Sequence, residues 1–171
     1  MIDAKIKTNL LRVVLVDSSI LLLMLFLPAI SHLMAFPLYK FEPMRIMVLL
    51  GFLLSANKKN AYLLALMLPL FSFAVSGHPV MAKAILMMCE LGINVLFFSI
   101  MMNKRVNTFI AMFLSIVLSK LVYYFIKFLL ISVGVLNTNL VDTNIGVQIG
   151  ITCGIAVTFA LLYNYFFKEQ R

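Results

Sequence analysis

The sequence predicts an all-α membrane protein, a bundle of six transmembrane helices. Three observations predict it: 64% of the 171 residues are hydrophobic, the mean hydropathy is +1.09, and long apolar segments recur along the chain. A soluble domain is usually only about 45–50% apolar, so lipid is the expected solvent for much of this surface. The segments are too long and too continuous for membrane-barrel strands, which alternate apolar and polar residues over about 10 positions.

The apolar segments divide the chain into six predicted spans within one integral membrane domain, residues 1–171. About 20 apolar residues cross the hydrocarbon core as a helix, and the second and third segments are shorter than the rest. Polar breaks such as 57–60 and 103–105 separate the segments. The first apolar run is longer than the core of a signal peptide, about 7–15 residues, which favours an uncleaved span. The predicted spans are 10–34, 43–56, 61–76, 80–102, 107–133 and 144–167.

The basic residues follow the alternation that six spans require. The chain has 14 Lys and Arg against six Asp and Glu, a net charge of +8. Three cations fall in the loops of one side and two within the fifth span, whereas the other side receives Lys5, Lys7, Arg12, Lys58, Lys59, Lys104, Arg105, Lys168 and Arg171. Cytoplasmic loops carry the excess of Lys and Arg, so both termini are predicted to be cytoplasmic. The basic excess therefore indicates the topology of a membrane protein, not binding of nucleic acid.

Polar residues inside the later spans are the candidate site. Glu90 lies near the centre of the fourth span and Lys120 near the centre of the fifth. A charged group at mid-membrane costs about 2.5–3.5 kcal/mol on insertion scales, so it requires a partner or a hydrated cavity. One interpretation is a polar pocket between spans four, five and six, open to the outside; the other is a structural Glu90–Lys120 pair. The further candidates for the pocket are Asn94, Tyr123, Tyr124, Lys127 and Gln148.

Small residues mark candidate packing surfaces. Gly146, Gly150 and Gly154 recur every four residues in the sixth span. Such a strip lets another helix approach closely. Packing within the bundle is the first interpretation, and docking to a partner protein is the second.

Several classes of chemistry lack their sequence signals. His32, His78, Cys89 and Cys153 are too few and too scattered to predict a metal site or a disulfide framework. The chain has no GxxxxGK[ST] phosphate-binding loop, so it is not expected to drive uptake with ATP by itself. HExxH, CxxC and GxSxG motifs are also missing. The prediction is a protein that is not an enzyme and has no cofactor.

Two stretches resemble a known family. Residues 41–51, FEPMRIMVLLG, resemble the PMHIPVLL-type segment in the second helix of substrate-binding (S) components of energy-coupling factor (ECF) transporters. LPLFS at 68–72, SGHP at 76–79 and MMCEL at 87–91 are similar to the P-L-L-S, T-G-x-P and M-x-x-E-L series of that family, in the same order. The likeness is best over residues 36–98.

The resemblance implies a fold, partners and a ligand class. Members of the family are six-helix proteins that capture a vitamin or cofactor precursor from outside the cell. They dock on a transmembrane coupling subunit that carries two cytoplasmic ATPase subunits. By position, Glu90 and His78 match the E-L and G-x-P segments, and Lys120 stands where the fifth helix of the family often has Gly-Arg.

This sequence departs from the family in three places. Arg45 replaces a His and Met47 replaces a Pro in the second-helix segment. The A-x-x-x-A docking pattern of the first helix is missing, and Ala61 and Ala65 have that spacing in the third helix instead. Arg45 and the two lysines of the fifth span predict a ligand that bears a carboxylate or phosphate. Tyr39, Tyr123 and Tyr124 are candidates for stacking on an aromatic ring of that ligand.

Two other functions fit the same composition. The first is a scaffold that does not transport, similar to MreD-type cell-shape proteins, in which Glu90 and Lys120 only pair and the glycine strip binds a partner. The second is a secondary transporter coupled to protons through Glu90. A single membrane-embedded acid and the lack of an inverted repeat argue against the secondary transporter.

Overall fold

The computed structural model describes residues 2–34, 38–55, 57–77, 79–141 and 144–167. A short 3-10 helix, Leu38–Phe41, precedes the second α-helix. In the described part of the chain the α-helices are α1 Ile2–Leu33, α2 Pro43–Ser55, α3 Lys58–Ser76, α4 Met81–Asn103, α5 Thr108–Ser132 and α6 Ile145–Phe167.

The predicted all-α membrane fold is confirmed. The described residues form six α-helices and no strand. Five of the helices, all but α2, are long and apolar enough to cross a membrane. Many of their large apolar side chains, such as Leu22, Leu121 and Leu161, are exposed on the outside of the bundle. Contact of these side chains with water would be unfavourable, whereas contact with lipid is not. The chain is therefore a multi-pass membrane protein.

The helices pack as an incomplete ring with α1 outside it. Helices α2, α3, α4, α5 and α6 pack in chain order, and α2 contacts α6 only sparsely. Helix α1 lies against α2 and α3. Lys58 Nζ donates a hydrogen bond to Asn103 Oδ1 at 3.0 Å, so the start of α3 and the end of α4 lie at the same end of the bundle. We call this the basic end, and the other the opposite end.

Helix capping places the boundaries close to those predicted. Asn57 Oδ1 accepts a hydrogen bond from the Lys59 backbone N–H at 3.0 Å, so α3 begins three residues before the predicted span. Asn107 caps α5 in the same way, through the Phe109 N–H at 2.9 Å. Gly77 ends α3 with φ of 69°, a left-handed conformation that glycine adopts readily.

Helix α2 is too short to cross the bilayer alone. Its 13 residues span about 20 Å, whereas the hydrocarbon core is about 30 Å thick. The α2–α3 junction belongs to the basic end, so α2 begins about 9 Å short of the level that the 19 residues of α3 reach at the opposite end. This buried start of α2 brings the residues before and after Pro43 into the interior.

Apolar and aromatic side chains fill the half of the bundle toward the basic end. Phe98 makes edge-to-face contacts with Phe52 and Phe159, with ring centroids 5.8 and 5.2 Å apart. Tyr163 stacks on Phe52 at 6.4 Å. This half provides packing between α2, α4 and α6, and the charged interior residues lie nearer the opposite end.

Helix α1 is attached to the ring by one polar contact as well as by apolar packing. Asn60, 5% exposed, donates a hydrogen bond to Asp17 Oδ1 at 2.8 Å. We expect Asp17→Ala to lower the free energy of unfolding by about 1–3 kcal/mol, because the buried Asn60 amide loses its acceptor. Equilibrium unfolding in detergent measures the change.

A matched control is available on the same helix. The Ser19 hydroxyl donates to Leu15 O within α1, at 2.8 Å, so Ser19→Ala removes no contact between helices. Equal effects of Asp17→Ala and Ser19→Ala would contradict a role for Asp17 in holding α1.

Candidate functional site

Four ionisable side chains from three helices form a charged cluster: Glu42, Arg45, Glu90 and Lys120. Arg45 Nη1 donates to Glu42 Oε2, and Arg45 Nη2 donates to Glu90 Oε1. Lys120 Nζ donates to Glu42 Oε1. The chain of contacts Lys120–Glu42–Arg45–Glu90 joins α5, the start of α2 and α4, and its two positive and two negative charges balance.

The short α2 explains how Glu42 reaches the middle of α5. Glu42 directly precedes Pro43, the first residue of α2, and a carboxylate is favourable beside the positive end of the helix dipole. Lys120 is twelve residues from each end of α5, about 18 Å along the axis. A helix that began at the membrane surface would leave Glu42 too far from Lys120.

The backbone of Glu42 adopts an uncommon conformation. Its φ is 54°, in the left-handed region that costs a residue other than glycine roughly 1–2 kcal/mol. The salt bridges of Glu42 to Arg45 and Lys120 offset this cost. The turn directs the chain from the 3-10 helix into α2.

Exposure within the charged cluster is uneven. The side chain of Arg45 is only 2% exposed, whereas Glu90, Lys120 and Glu42 are 12%, 18% and 21% exposed. Arg45 Nε is buried and has no hydrogen-bond partner among the described residues. Arg45 is thus the closed centre of the cluster, and the other three side chains keep an accessible edge.

The observed pairing differs from the one that the sequence predicted. The structural alternative paired Glu90 with Lys120, but Glu90 contacts Arg45 and Lys120 contacts Glu42. Glu42 was missed, because it precedes the second predicted span and was counted outside the membrane. An acid immediately before a Pro that opens a short apolar helix was the available signal. The count of a single membrane-embedded acid is therefore wrong.

The other predicted pocket residues that the structure describes lie on α4, α5 and α6. Buried Asn94 donates to Ser115 Oγ at 3.0 Å. Tyr124 OH donates to Gln148 Oε1 at 2.7 Å, which joins α5 to α6. The rings of Tyr123 and Tyr124 meet edge to face at 5.4 Å, and Lys127 is 2% exposed. His78 lies outside the described residues, as does the side chain of Tyr39.

A separate apolar groove runs between α2 and α6, where the ring is least tightly closed. Its volume is about 430 Å³, and it does not lie over the charged cluster. We call it the α2–α6 groove; it is lined by Phe41, Ile46, Leu49, Leu50, Leu53, Gly150, Ile151, Gly154, Ile155, Thr158, Phe159 and Leu162.

The predicted packing residues occupy two different environments. Ala61 and Ala65 are fully buried in the core, so they are not exposed for docking to a partner. Gly150 and Gly154 are exposed, and a Cβ built on either would meet no atom within 4 Å. At Gly146 a Cβ would meet only Asn144 Oδ1, at 3.4 Å. Close helix packing within the bundle is therefore not the role of Gly150 and Gly154.

The described residues contain no group of three His, Cys, Asp or Glu side chains that could hold a metal ion. Cys89 and Cys153 are both free thiols. The chemistry that the charged cluster offers is exchange of partners: a ligand carboxylate can replace Glu42 on Lys120, and a ligand amine can replace Arg45 or Lys120 on a glutamate.

Comparison of the chain with protein families, characterised proteins and solved structures finds no match.

Proposed function

We propose that the protein is the substrate-binding subunit of an ECF-type importer in a bacterial cytoplasmic membrane. It would capture a vitamin or cofactor precursor from outside, and a coupling subunit with two ATPase subunits would drive uptake. The observation that supports the proposal is the charged cluster, which lies deep in the bundle and keeps the edges of Glu42, Glu90 and Lys120 accessible. Charges at this depth are costly and usually mark a substrate pathway.

The contacts refine the expected ligand. Arg45 is buried and already binds two carboxylates, so the accessible cation of the charged cluster is Lys120. A carboxylate or phosphate on the ligand would bind Lys120 in place of Glu42. The accessible edges of Glu42 and Glu90 would accept hydrogen bonds from polar groups of the same ligand.

We expect Lys120→Gln to weaken ligand binding by about 10- to 150-fold, because a hydrogen bond to a charged group contributes about 1.5–3 kcal/mol. Native mass spectrometry of the purified protein identifies retained cargo, and thermal shift across a vitamin panel measures affinity. Lys104→Gln, an exposed change at the basic end, is the matched control. Wild-type protein that retains no small molecule and shows no shift with any vitamin would contradict the proposal.

A scaffold function is the second candidate, and two observations favour it. The charges of the cluster neutralise one another, and Gly150 and Gly154 lie on an exposed surface. In that case the double variant Glu90→Gln/Lys120→Gln would fold and bind its partner normally. Transport by the protein alone, driven by a pH gradient without ATP, would instead support the secondary transporter.

A further inference from the structure

The α2–α6 groove is lined almost entirely by apolar groups. Its floor includes the buried side chains of Leu49, Leu53 and Phe159, and its rim includes the exposed Gly150, Gly154 and Thr158. Among the described residues that line the groove, only Thr158 has a polar side chain, and its hydroxyl donates to Gly154 O at 2.7 Å within α6. This surface offers water almost no side-chain partner for a hydrogen bond, and apolar cavities of this kind stay dry. The occupant must therefore be apolar.

The dimensions of the α2–α6 groove select a chain over a helix. It extends along α6 from Gly150 to Leu162, about 18 Å at the rise of an α-helix. Helices α2 and α6 still contact each other beside the groove, so the space between them is too narrow for a third helix. An α-helix with its side chains is about 10–12 Å wide. A single hydrocarbon chain fits within this groove, whereas a transmembrane helix of a partner would lie across its rim at Gly150 and Gly154.

The end of the α2–α6 groove near Phe41 adjoins charged residues. Phe41 lines the groove and is flanked in sequence by Lys40 and Glu42, whose Cα atoms lie about 3.8 Å from its own. The charge of Glu42 is balanced within the charged cluster, whereas Lys40 is exposed and adds one positive charge at this end. The α2–α6 groove is therefore apolar along its length and has a positive charge near the end at Phe41.

We propose that the α2–α6 groove binds one acyl chain of an anionic phospholipid that enters from the bilayer. The chain lies between α2 and α6, and the anionic head lies beside Lys40. The exposed rim at Gly150 and Gly154 leaves the groove open to lateral entry. The site is separate from the charged cluster, and it does not depend on the proposed importer function.

Two glycines provide a matched pair of variants. Gly154→Leu fills the α2–α6 groove, and a Cβ at this position meets no atom within 4 Å. Gly92→Leu on α4 makes the same chemical change, and a Cβ there also meets no atom within 4 Å, but Gly92 does not line the groove. Gly150→Leu, on the same rim, serves if Gly154→Leu does not fold.

The experiment is native mass spectrometry of the delipidated full-length protein after addition of phosphatidylglycerol, phosphatidylcholine or oleate. We expect one phosphatidylglycerol per wild-type chain to remain bound during collisional activation. The fraction of protein that retains it should fall at least tenfold in Gly154→Leu and should not fall in Gly92→Leu. Lys40→Gln should remove the preference for phosphatidylglycerol over phosphatidylcholine. Oleate should bind at least tenfold more weakly than phosphatidylglycerol, and equal binding of oleate would contradict a phospholipid as the occupant.

Two further results would overturn the proposal. The first is equal lipid retention by wild type, Gly154→Leu and Gly150→Leu. The second is a wild-type dimer that retains no lipid and dissociates in Gly154→Leu, because the α2–α6 groove would then be an interface between copies of the chain.

Discussion

We expect Arg45→Met to lower the free energy of unfolding by about 3–5 kcal/mol, the usual cost of removing one partner from a buried ion pair. Arg45 is 2% exposed and holds both Glu42 and Glu90. Its removal leaves Glu90 without its cation, whereas Glu42 keeps Lys120. Equilibrium unfolding in detergent, with SDS as the denaturant, measures the loss.

Two further variants separate lost charge pairing from lost packing. Arg45→Met/Glu90→Gln removes the carboxylate that would be stranded, so it should recover part of the stability lost in Arg45→Met. Lys104→Met removes an exposed cation at the basic end and should change stability by less than about 0.5 kcal/mol. If the double variant is less stable than Arg45→Met by the full effect of Glu90→Gln alone, the two residues are not coupled and the contact does not stabilise the fold.

We expect Gly51→Ala to lower the free energy of unfolding by about 1–3 kcal/mol, through overpacking where α1, α2 and α3 meet. A Cβ on Gly51 would lie 2.1 Å from Leu64 Cδ1 and 3.3 Å from Ile20 Cδ1. Leu64 is 1% exposed and Ile20 is 3% exposed, so neither side chain has free space into which to move. Thermal unfolding in detergent gives the change.

The same glycine chemistry without the clash is the control. Gly92→Ala adds a Cβ that meets no atom within 4 Å, so it should not destabilise α4. Gly51→Ala/Leu64→Ala restores the space. Its loss of stability should be smaller than the sum of the losses in the two single variants. A loss in Gly92→Ala as large as that in Gly51→Ala would contradict the overpacking explanation.

The fold was predictable because helices in lipid satisfy their own backbone hydrogen bonds, so composition and segment length suffice to locate them. The predicted boundaries of α4, α5 and α6 agree with the structure to within one residue. The start of α3 was placed three residues too late, because the polar residues 57–60 were treated as a break between spans. In the structure Asn57 caps the helix and residues 58–60 form its first turn. Which membrane holds the protein, and on which side its termini lie, stay predictions.

The candidate site was predictable only in part. Glu90 and Lys120 were recognised because an ionisable group inside an apolar segment is costly wherever its partner lies. Their partners were not recognised, because sequence spacing does not report that a short α2 carries Glu42 and Arg45 down to them. The α2–α6 groove was not predicted either. Its existence depends on the sparse contact between two helices about 100 residues apart, and local periodicity carries no information on it.

The sequence alone determined that lipid is the solvent of this protein, that its class is helical and where its apolar helices lie, because these follow from the cost of exposing apolar side chains to water and backbone groups to lipid. The tertiary structure alone decided which charges pair, which glycines face outward and where the bundle is open. Those features depend on how deep each helix begins and how it is rotated in the bundle. Two residues illustrate what only the tertiary structure decided. Arg45 binds Glu42 and Glu90, and Gly154 lies at the open groove.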